Sequence, residues 1–160
     1  DDEGLCDPMG YELPEDEYDA LVISDYDKGF LTAKKIQELV DWFDGPVFID
    51  SKKTKLPKEG CYIKINEEES TLLKGRHKNL IVTKGSDGAQ YGGKLYPAEP
   101  AKAFDVVGAG DTFLSTLVYF YLFYGTIEKS IPYANRAAAI AVQNIGTYVL
   151  TEEDVANLRD

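Results

Sequence analysis

Histidine is nearly absent from this 160-residue chain, which has a single one, His77. It lies in the polar run Lys74-Gly75-Arg76-His77-Lys78, read as a surface loop, which argues against His-based catalysis and His-rich metal sites. Cysteine is almost as scarce. Cys6 and Cys61 stand far apart in no metal-ligand spacing, so free thiols in a reducing compartment are expected in preference to a disulfide. Basic charge is also short: 17 Lys and Arg face 28 Asp and Glu, a net charge of −11. Only Lys52, Lys53, Lys55 and Lys58 come near a basic cluster, so no nucleic-acid partner is expected. The most apolar run, Phe113 to Tyr124, is too short to span a bilayer, and no signal peptide opens the chain. A cytoplasmic domain without a membrane partner is the expectation. An acidic protein that handles anions must place positive potential locally, with backbone N–H groups and a few lysines.

What is present suffices for a core: 44% hydrophobic residues, with eleven Tyr and seven Phe. One domain is expected over 1–160, an irregular acidic lead-in at 1–19 and a core over 20–160. Ala20 to Ser24 is a continuous apolar run of strand length, expected to be buried on both faces. Thr32 can cap a helix to about Phe43, with Ile36, Leu39, Val40 and Phe43 at helical spacing. Further strands are expected at Val47 to Ile49, Cys61 to Ile65 and Leu80 to Thr83. A hairpin follows, Gly88 to Tyr91 and Lys94 to Tyr96 about Gly92-Gly93. Helices are expected at Gly110 to Tyr124, Ile127 to Asn144 and Glu152 to Leu158, with Pro132 early in the second, where its missing N–H costs least. Alternating strands and helices predict an α/β fold with a mostly parallel sheet.

The chemistry centres on Asp105-Val106-Val107-Gly108-Ala109-Gly110-Asp111-Thr112. The helix that follows is apolar almost all round, which predicts a buried helix with a rigidly held N-terminus. Unpaired first-turn N–H groups and the positive end of the helix dipole make an anion site. Glycines on either side of Ala109 let a phosphate approach the backbone. Asp111 would repel such a ligand, unless its task is to take a proton from a hydroxyl while the N–H groups stabilise the transferring phosphoryl group. Alternatively, Asp111 caps the helix and the glycines form a tight turn. The octapeptide alone leaves these readings level.

Asp105-x-x-Gly108-Ala109-Gly110-Asp111-Thr112-Phe113 resembles the C-terminal signature of the ribokinase-like (PfkB) carbohydrate kinases. Asn66-Glu67-Glu68-Glu69 is similar to the family's N-x-x-E motif, and Thr83-Lys84-Gly85-Ser86-Asp87-Gly88 to its T-x-G-x-x-G nucleotide loop. Ala134-Asn135-Arg136-Ala137-Ala138-Ala139 and Gly146-Thr147 resemble the helix and loop beside the adenine. The motifs occur in family order. Within the family, Ser24-Asp25-Tyr26-Asp27-Lys28-Gly29 and Asp50-Ser51-Lys52 resemble the heptose 7-phosphate kinases of lipopolysaccharide-precursor synthesis.

The resemblance implies an ATP-dependent sugar kinase with a ribokinase-like fold, acting on a sugar phosphate such as heptose 7-phosphate at its anomeric hydroxyl. Other sugar or nucleoside kinases, and a catalytically silent nucleotide-binding module, stand as alternatives. By resemblance, Asp111 is the base, and Gly108, Ala109 and Gly110 form the anion hole. Asn66 and Glu69 act on Mg²⁺ through water, although Asn66 to Glu69 taken alone reads rather as a solvated acidic helix start. Thr83, Gly85 and Gly88 meet the ribose and phosphates, and Asn135 and Ala138 border the adenine. Asp25, Lys28 and Lys52 are candidates for the substrate or phosphate. Asp25 and Lys28 could also form a plain turn salt bridge, and Lys52 could be one solvated lysine among several. A K⁺ site is implied at Asp105 and near Val107, Ala141, Asn144 and Gly146. A homo-oligomer is compatible with the family. The chain departs from the family in two ways. Members run to roughly twice its length, so it is read as the nucleotide-binding and catalytic half without the β lid, and the stretch from Glu69 to Leu80 lacks room for the family's additional helix.

Overall fold

The computed structural model describes residues 6–7 and 16–159, so most of the expected lead-in at 1–19 lies outside the described residues. The chain divides into two compact units, Asp1–Ile81 and Val82–Asp160.

In the first unit the strands β1 (Leu21–Asp25), β2 (Val47–Ser51) and β3 (Tyr62–Asn66) run parallel. Leu21 pairs with Val47 through to Asp25 with Ser51, and Phe48 with Tyr62 through to Asp50 with Lys64. Between β1 and β2 runs helix α1 (Ala33–Trp42), which begins where the sequence predicts: Thr32 Oγ1 accepts from the Lys35 N–H at 3.1 Å. Ile36, Leu39 and Val40 turn one stripe of α1 into a core with Ile23, Val47, Ile49, Ile63 and Ile65. β1 is not buried on both faces. Val22 and Ser24 alternate with the buried Ile23 and Asp25, and Val22 is 46% exposed, the mark of a strand covered on one side only. A short helix, α2 (Glu67–Leu72), follows β3 directly. His77 is half-buried, its ring nitrogens against the carbonyls of Pro57 and Lys74, so it ties two loop segments together.

β4 (Leu80–Thr83) carries the chain into the second unit, where a single 3₁₀ turn (Gly85–Asp87) leads to the antiparallel hairpin β5 (Ala89–Tyr91) and β6 (Lys94–Tyr96). Three helices follow: α3 (Ala109–Tyr124), α4 (Ile127–Ala141) and α5 (Glu152–Arg159). Phe120 of α3 stacks on Tyr133 of α4 with ring centroids 4.1 Å apart, and the Tyr124 and Tyr133 hydroxyls meet at 2.9 Å. Three expectations need correction here. α3 is apolar almost all round but not buried all round: Leu117 is fully buried, whereas Tyr119, Leu122 and Phe123 are exposed on its second half. α4 stops at Ala141, short of Asn144, because tighter turns take over: the Gln143 N–H donates to Ile140 O and the Asn144 N–H to Ala141 O. Pro132 is the sixth residue of α4, past the first turn whose N–H groups need no partner, so it does deprive a carbonyl of its donor.

Truncation tests this burial of α3 directly. Leu117→Ala is expected to cost about 2–5 kcal/mol of unfolding free energy. Leu122→Ala, on the exposed face, is expected to stay within about 0.5 kcal/mol of wild type in the same urea titration.

Candidate functional site

Helix α3 opens without a side-chain cap. Its N-cap is Gly108, in the left-handed conformation at φ 78°. A Cβ at that position would also press to 3.2 Å on the Thr147 methyl, so a bare backbone is what fits. Asp111 is therefore not the cap; it is the third residue of the helix, exposed, in the first turn where the dipole favours an acid. The Ala109 N–H reaches Val106 O only at 3.3 Å, while the Thr112 N–H makes the first full helical bond, to Gly108 O at 2.9 Å.

The loop leading into α3 is pinned by Asp105. Its Oδ1 accepts from the Val107 N–H at 3.0 Å, and its Oδ2 from the Gly146 N–H at 2.9 Å. The Phe104 and Asp105 N–H groups both donate to Val142 O. The Val107 bond first, then those from Gly146 and Val106, hold the carboxyl below its ordinary value. Asp105, Val107 and Gly146 are thus brought together by a hydrogen-bonded clasp. Asn144 turns its amide back to Ile140 O, and Ala141 O is engaged by the Asn144 N–H.

Behind this helix start lies a cavity of about 540 Å³ within the second unit. Its walls bring together Thr83, Gly85 and Gly88 from the loop after β4, Asn135 and Ala138 from α4, and Ala109 and Gly110 from α3. The loop closes on itself, with the Lys84 N–H donating to Gly88 O at 2.7 Å and the Gly88 N–H to Gly85 O at 3.1 Å. Gly88 takes φ 100°, and a Cβ there would sit 2.1 Å from Tyr96 O. Asn135 is buried, and its Nδ2 donates to Tyr96 O at 2.8 Å and Pro97 O at 3.2 Å. It is a strut between α4 and the end of β6. Sequence reasoning missed this role because the partners lie 39 and 38 residues away. The wall is otherwise built largely of Ala, Pro, Val and Phe side chains, and Glu99 is its one charged residue.

The first unit holds the other candidates. Asn66 caps α2, and with Glu69 it forms a reciprocal capping box: Asn66 Oδ1 accepts from the Glu69 N–H at 2.8 Å, and Glu69 Oε2 from the Asn66 N–H at 2.9 Å. Both therefore sit at a fixed helix start at the carboxyl end of a parallel strand, the edge where open α/β sheets take ligands. Asp25 is buried at the matching end of β1. Its lysine is Lys53, not Lys28 or Lys52: Lys53 Nζ lies 3.4 Å from Asp25 Oδ2 and also binds Asp27, while the Ser51 hydroxyl donates to Asp25 at 2.7 Å. Burial opposes the charge on Lys53, but the Asp27 hydrogen bond and the attraction of Asp25 outweigh it and raise its pKa. Lys52 lies over the Tyr26 ring, 5.3 Å from its centroid, and Lys28 is exposed. Sequence reasoning also missed Lys64, buried and paired with Asp50 across the β2–β3 register at 2.5 Å.

A family model described as pfkB family carbohydrate kinase matches residues 55–154. A bifunctional protein HldE from a Nitratiruptor species is 30% identical over 87% of this chain and 35% of the relative. Among solved structures, a ribokinase from Thermotoga maritima superposes with a TM-score of 0.69 at 20% identity, over 87% of this chain and 56% of that one. An Arabidopsis thaliana ribokinase complexed with ribose and ATP gives 0.66 at 20% identity, over 87% and 55%. The chain thus spans about a third of the HldE relative and about half of the ribokinases. These matches bear out the family resemblance and the ribokinase-like α/β fold expected from the motifs.

Two outcomes follow from the geometry. Gly88→Ala should lower the melting temperature markedly more than Gly85→Ala, because a Cβ at Gly85 meets nothing within 4 Å and pays only for its positive φ. The Asp105 clasp, with its depressed carboxyl, stabilises the fold fully above the ordinary value of 3.8 and is lost as pH falls through the lower folded value. Asp105→Asn should therefore be less stable than wild type at neutral pH, with the gap in urea midpoints closing once the wild-type carboxyl protonates.

Proposed function

The chain belongs to the pfkB family of carbohydrate kinases, and on that premise we propose that it carries the nucleotide-binding and phosphoryl-transfer part of an ATP-dependent sugar kinase. The observation behind this reading is that one cavity gathers the motifs. Three sequence motifs far apart in the chain (83–88, 108–111 and 134–139) each contribute to its walls or its rim. An apolar cavity with few polar groups suits a purine base. The uncapped, glycine-flanked first turn of α3 beside it suits phosphates.

In this reading the N–H groups of Ala109 and Gly110 face the charge that builds on the transferring phosphoryl group. Asp111, in the same turn, takes the proton of the attacking hydroxyl. Asn135 acts on the base indirectly, by holding the Tyr96–Pro97 backbone that closes the cavity. Among the described residues no three acidic, His or Cys side chains cluster to hold a metal. Mg²⁺ would not require such a cluster, because it keeps most of its water and needs only one or two protein oxygens beside the phosphates. Asn66 and Glu69 are the residues we assign to it, through water, and when bound it would neutralise phosphate charge. Any monovalent cation at Asp105 would have to share the carboxylate with two backbone N–H groups.

For the acceptor we propose a sugar phosphate of the heptose 7-phosphate kind, phosphorylated on its anomeric hydroxyl. The support is the Ser24 to Gly29 and Asp50 to Lys52 resemblance together with the HldE likeness. To Asp25, a buried carboxylate held by Ser51 and Lys53 within the first unit, we assign the orienting of an acceptor hydroxyl. A silent nucleotide-binding module is the second reading, because the cavity and the helix start beside it suit a nucleotide whether or not a sugar reacts there.

Calorimetric titration with Mg·ATP, paired with phosphotransfer assays on heptose 7-phosphate and other sugars, tests the proposal. Wild type should bind Mg·ATP, and Asp111→Asn should bind it about equally while losing about 10²–10⁴-fold in turnover. Absence of nucleotide binding at millimolar concentration would sink the proposal. Binding without turnover in wild type would establish the silent module.

A further inference from the structure

Arg136 stands between the cavity wall and the last helix. Its Nε lies 3.3 Å from Glu99, the one charged residue of that wall. Its Nη1 donates to Leu158 O at 3.0 Å and its Nη2 to Asn157 O at 3.1 Å. Those two carbonyls belong to the last turn of α5, where backbone acceptors have no helical partner and the dipole is negative. One planar guanidinium thus serves as the C-terminal cap of α5 and as the counter-charge of Glu99, a fork that lysine cannot copy.

The two ends of α5 are held by different means. At the N-terminal end the grip is local: Thr151 Oγ1 accepts from the Asp154 N–H at 3.1 Å, while Asp154 Oδ2 accepts from the Thr151 N–H and the Tyr148 hydroxyl, each at 2.8 Å. At the other end Leu158 is buried against Phe120 and Ala137, Arg159 reaches the Tyr119 hydroxyl, and Arg136 takes the carbonyls. Of these contacts Arg136 is the one that also touches the cavity wall. Asn135, its neighbour on α4, braces the same wall through Tyr96 and Pro97.

We infer that Arg136 is a positioning residue that couples occupancy of the cavity to docking of α5. A ligand that orders the 96–101 wall fixes Glu99, which holds the guanidinium in the orientation that caps α5. By linkage, a docked α5 favours the ordered wall to the same extent. Arg136 also neutralises a carboxylate that would otherwise repel an anionic ligand. The Glu99 side chain is largely exposed, so the coupling is small, on the order of twofold to fivefold. The inference rests on reading the cavity as a nucleotide site, and its test separates the two.

Hydrogen exchange is followed on the full chain with and without saturating Mg·ATP, in wild type, Glu99→Gln and Arg136→Gln, with thermal melts to confirm folding. In wild type the nucleotide should slow exchange both at 83–88 and across 152–159. Glu99→Gln should keep the first effect and lose the second. Arg136→Gln should weaken Mg·ATP binding by about twofold to fivefold, and Arg136→Lys should not restore it. Protection at 83–88 with α5 unchanged in wild type overturns the coupling alone, as does an undiminished α5 response in Glu99→Gln. No protection at 83–88 overturns the nucleotide reading, and the coupling with it.

Discussion

The first turn of α3 is an open helix end on a helix whose body cannot move freely, and the rest of the candidate site depends on that combination. Leu117, Phe120 and their neighbours bury one face of α3, so the position of the turn is set by core packing. Gly108 provides no side chain to occupy the N–H groups, and its left-handed backbone is one that glycine adopts at small cost. The Asp105 clasp then fixes the approach of the chain from outside, through the N–H groups of Val107 and Gly146, which are far apart in sequence. A ligand at this turn would meet dipoles already oriented, with little reorganisation left to make.

The sequence shows periodic and local features well, and pairwise features poorly. The Thr32 cap, the stripe of α1 and the strand at Leu80 to Thr83 are written in neighbouring residues, and the structure places them where those residues predict. The capping box at Asn66 and Glu69 is local too, and is legible as a helix start. Nothing in the sequence favours Lys53 over Lys52, because choosing between adjacent lysines needs the direction each side chain takes from an extended segment. The Asp50–Lys64 pair needs the β2–β3 register, which no local pattern supplies. α3 is hard to read for a different reason. Its second half, Leu117 to Tyr124, has no polar residue other than tyrosine, so nothing local to that half tells which apolar residues the core takes and which it leaves out. The order of the motifs conveys the family, but not that Asn135 works through the backbone of Tyr96 and Pro97.

The buried charges of the first unit bear on the same question of place. Two ion pairs, Asp25–Lys53 and Asp50–Lys64, sit toward the carboxyl ends of parallel strands, with little solvent around either lysine. Desolvating such pairs consumes much of their attraction, so they are weak grounds for stability. Their value lies in orientation. Ser51 and the Asp27 N–H also bond to Asp25, which leaves that carboxylate few directions in which to turn. If this edge takes the acceptor proposed above, a carboxylate so fixed discriminates between hydroxyl positions, which a mobile surface acid cannot.

Charge also constrains what the second unit can accept. The chain carries a net charge of −11, and the cavity wall has one charged side chain, already paired with Arg136. A lysine-rich pocket would attract any polyanion regardless of its shape. Here attraction for an anion must come from the helix start, which acts over the length of one turn, and attraction for an apolar ring from the cavity behind it. The two reward only a ligand that carries both parts at the right spacing. On the proposed reading, an acidic protein would thereby gain selectivity for a nucleotide over free phosphate or bare nucleic acid, because neither part would bind well without the other.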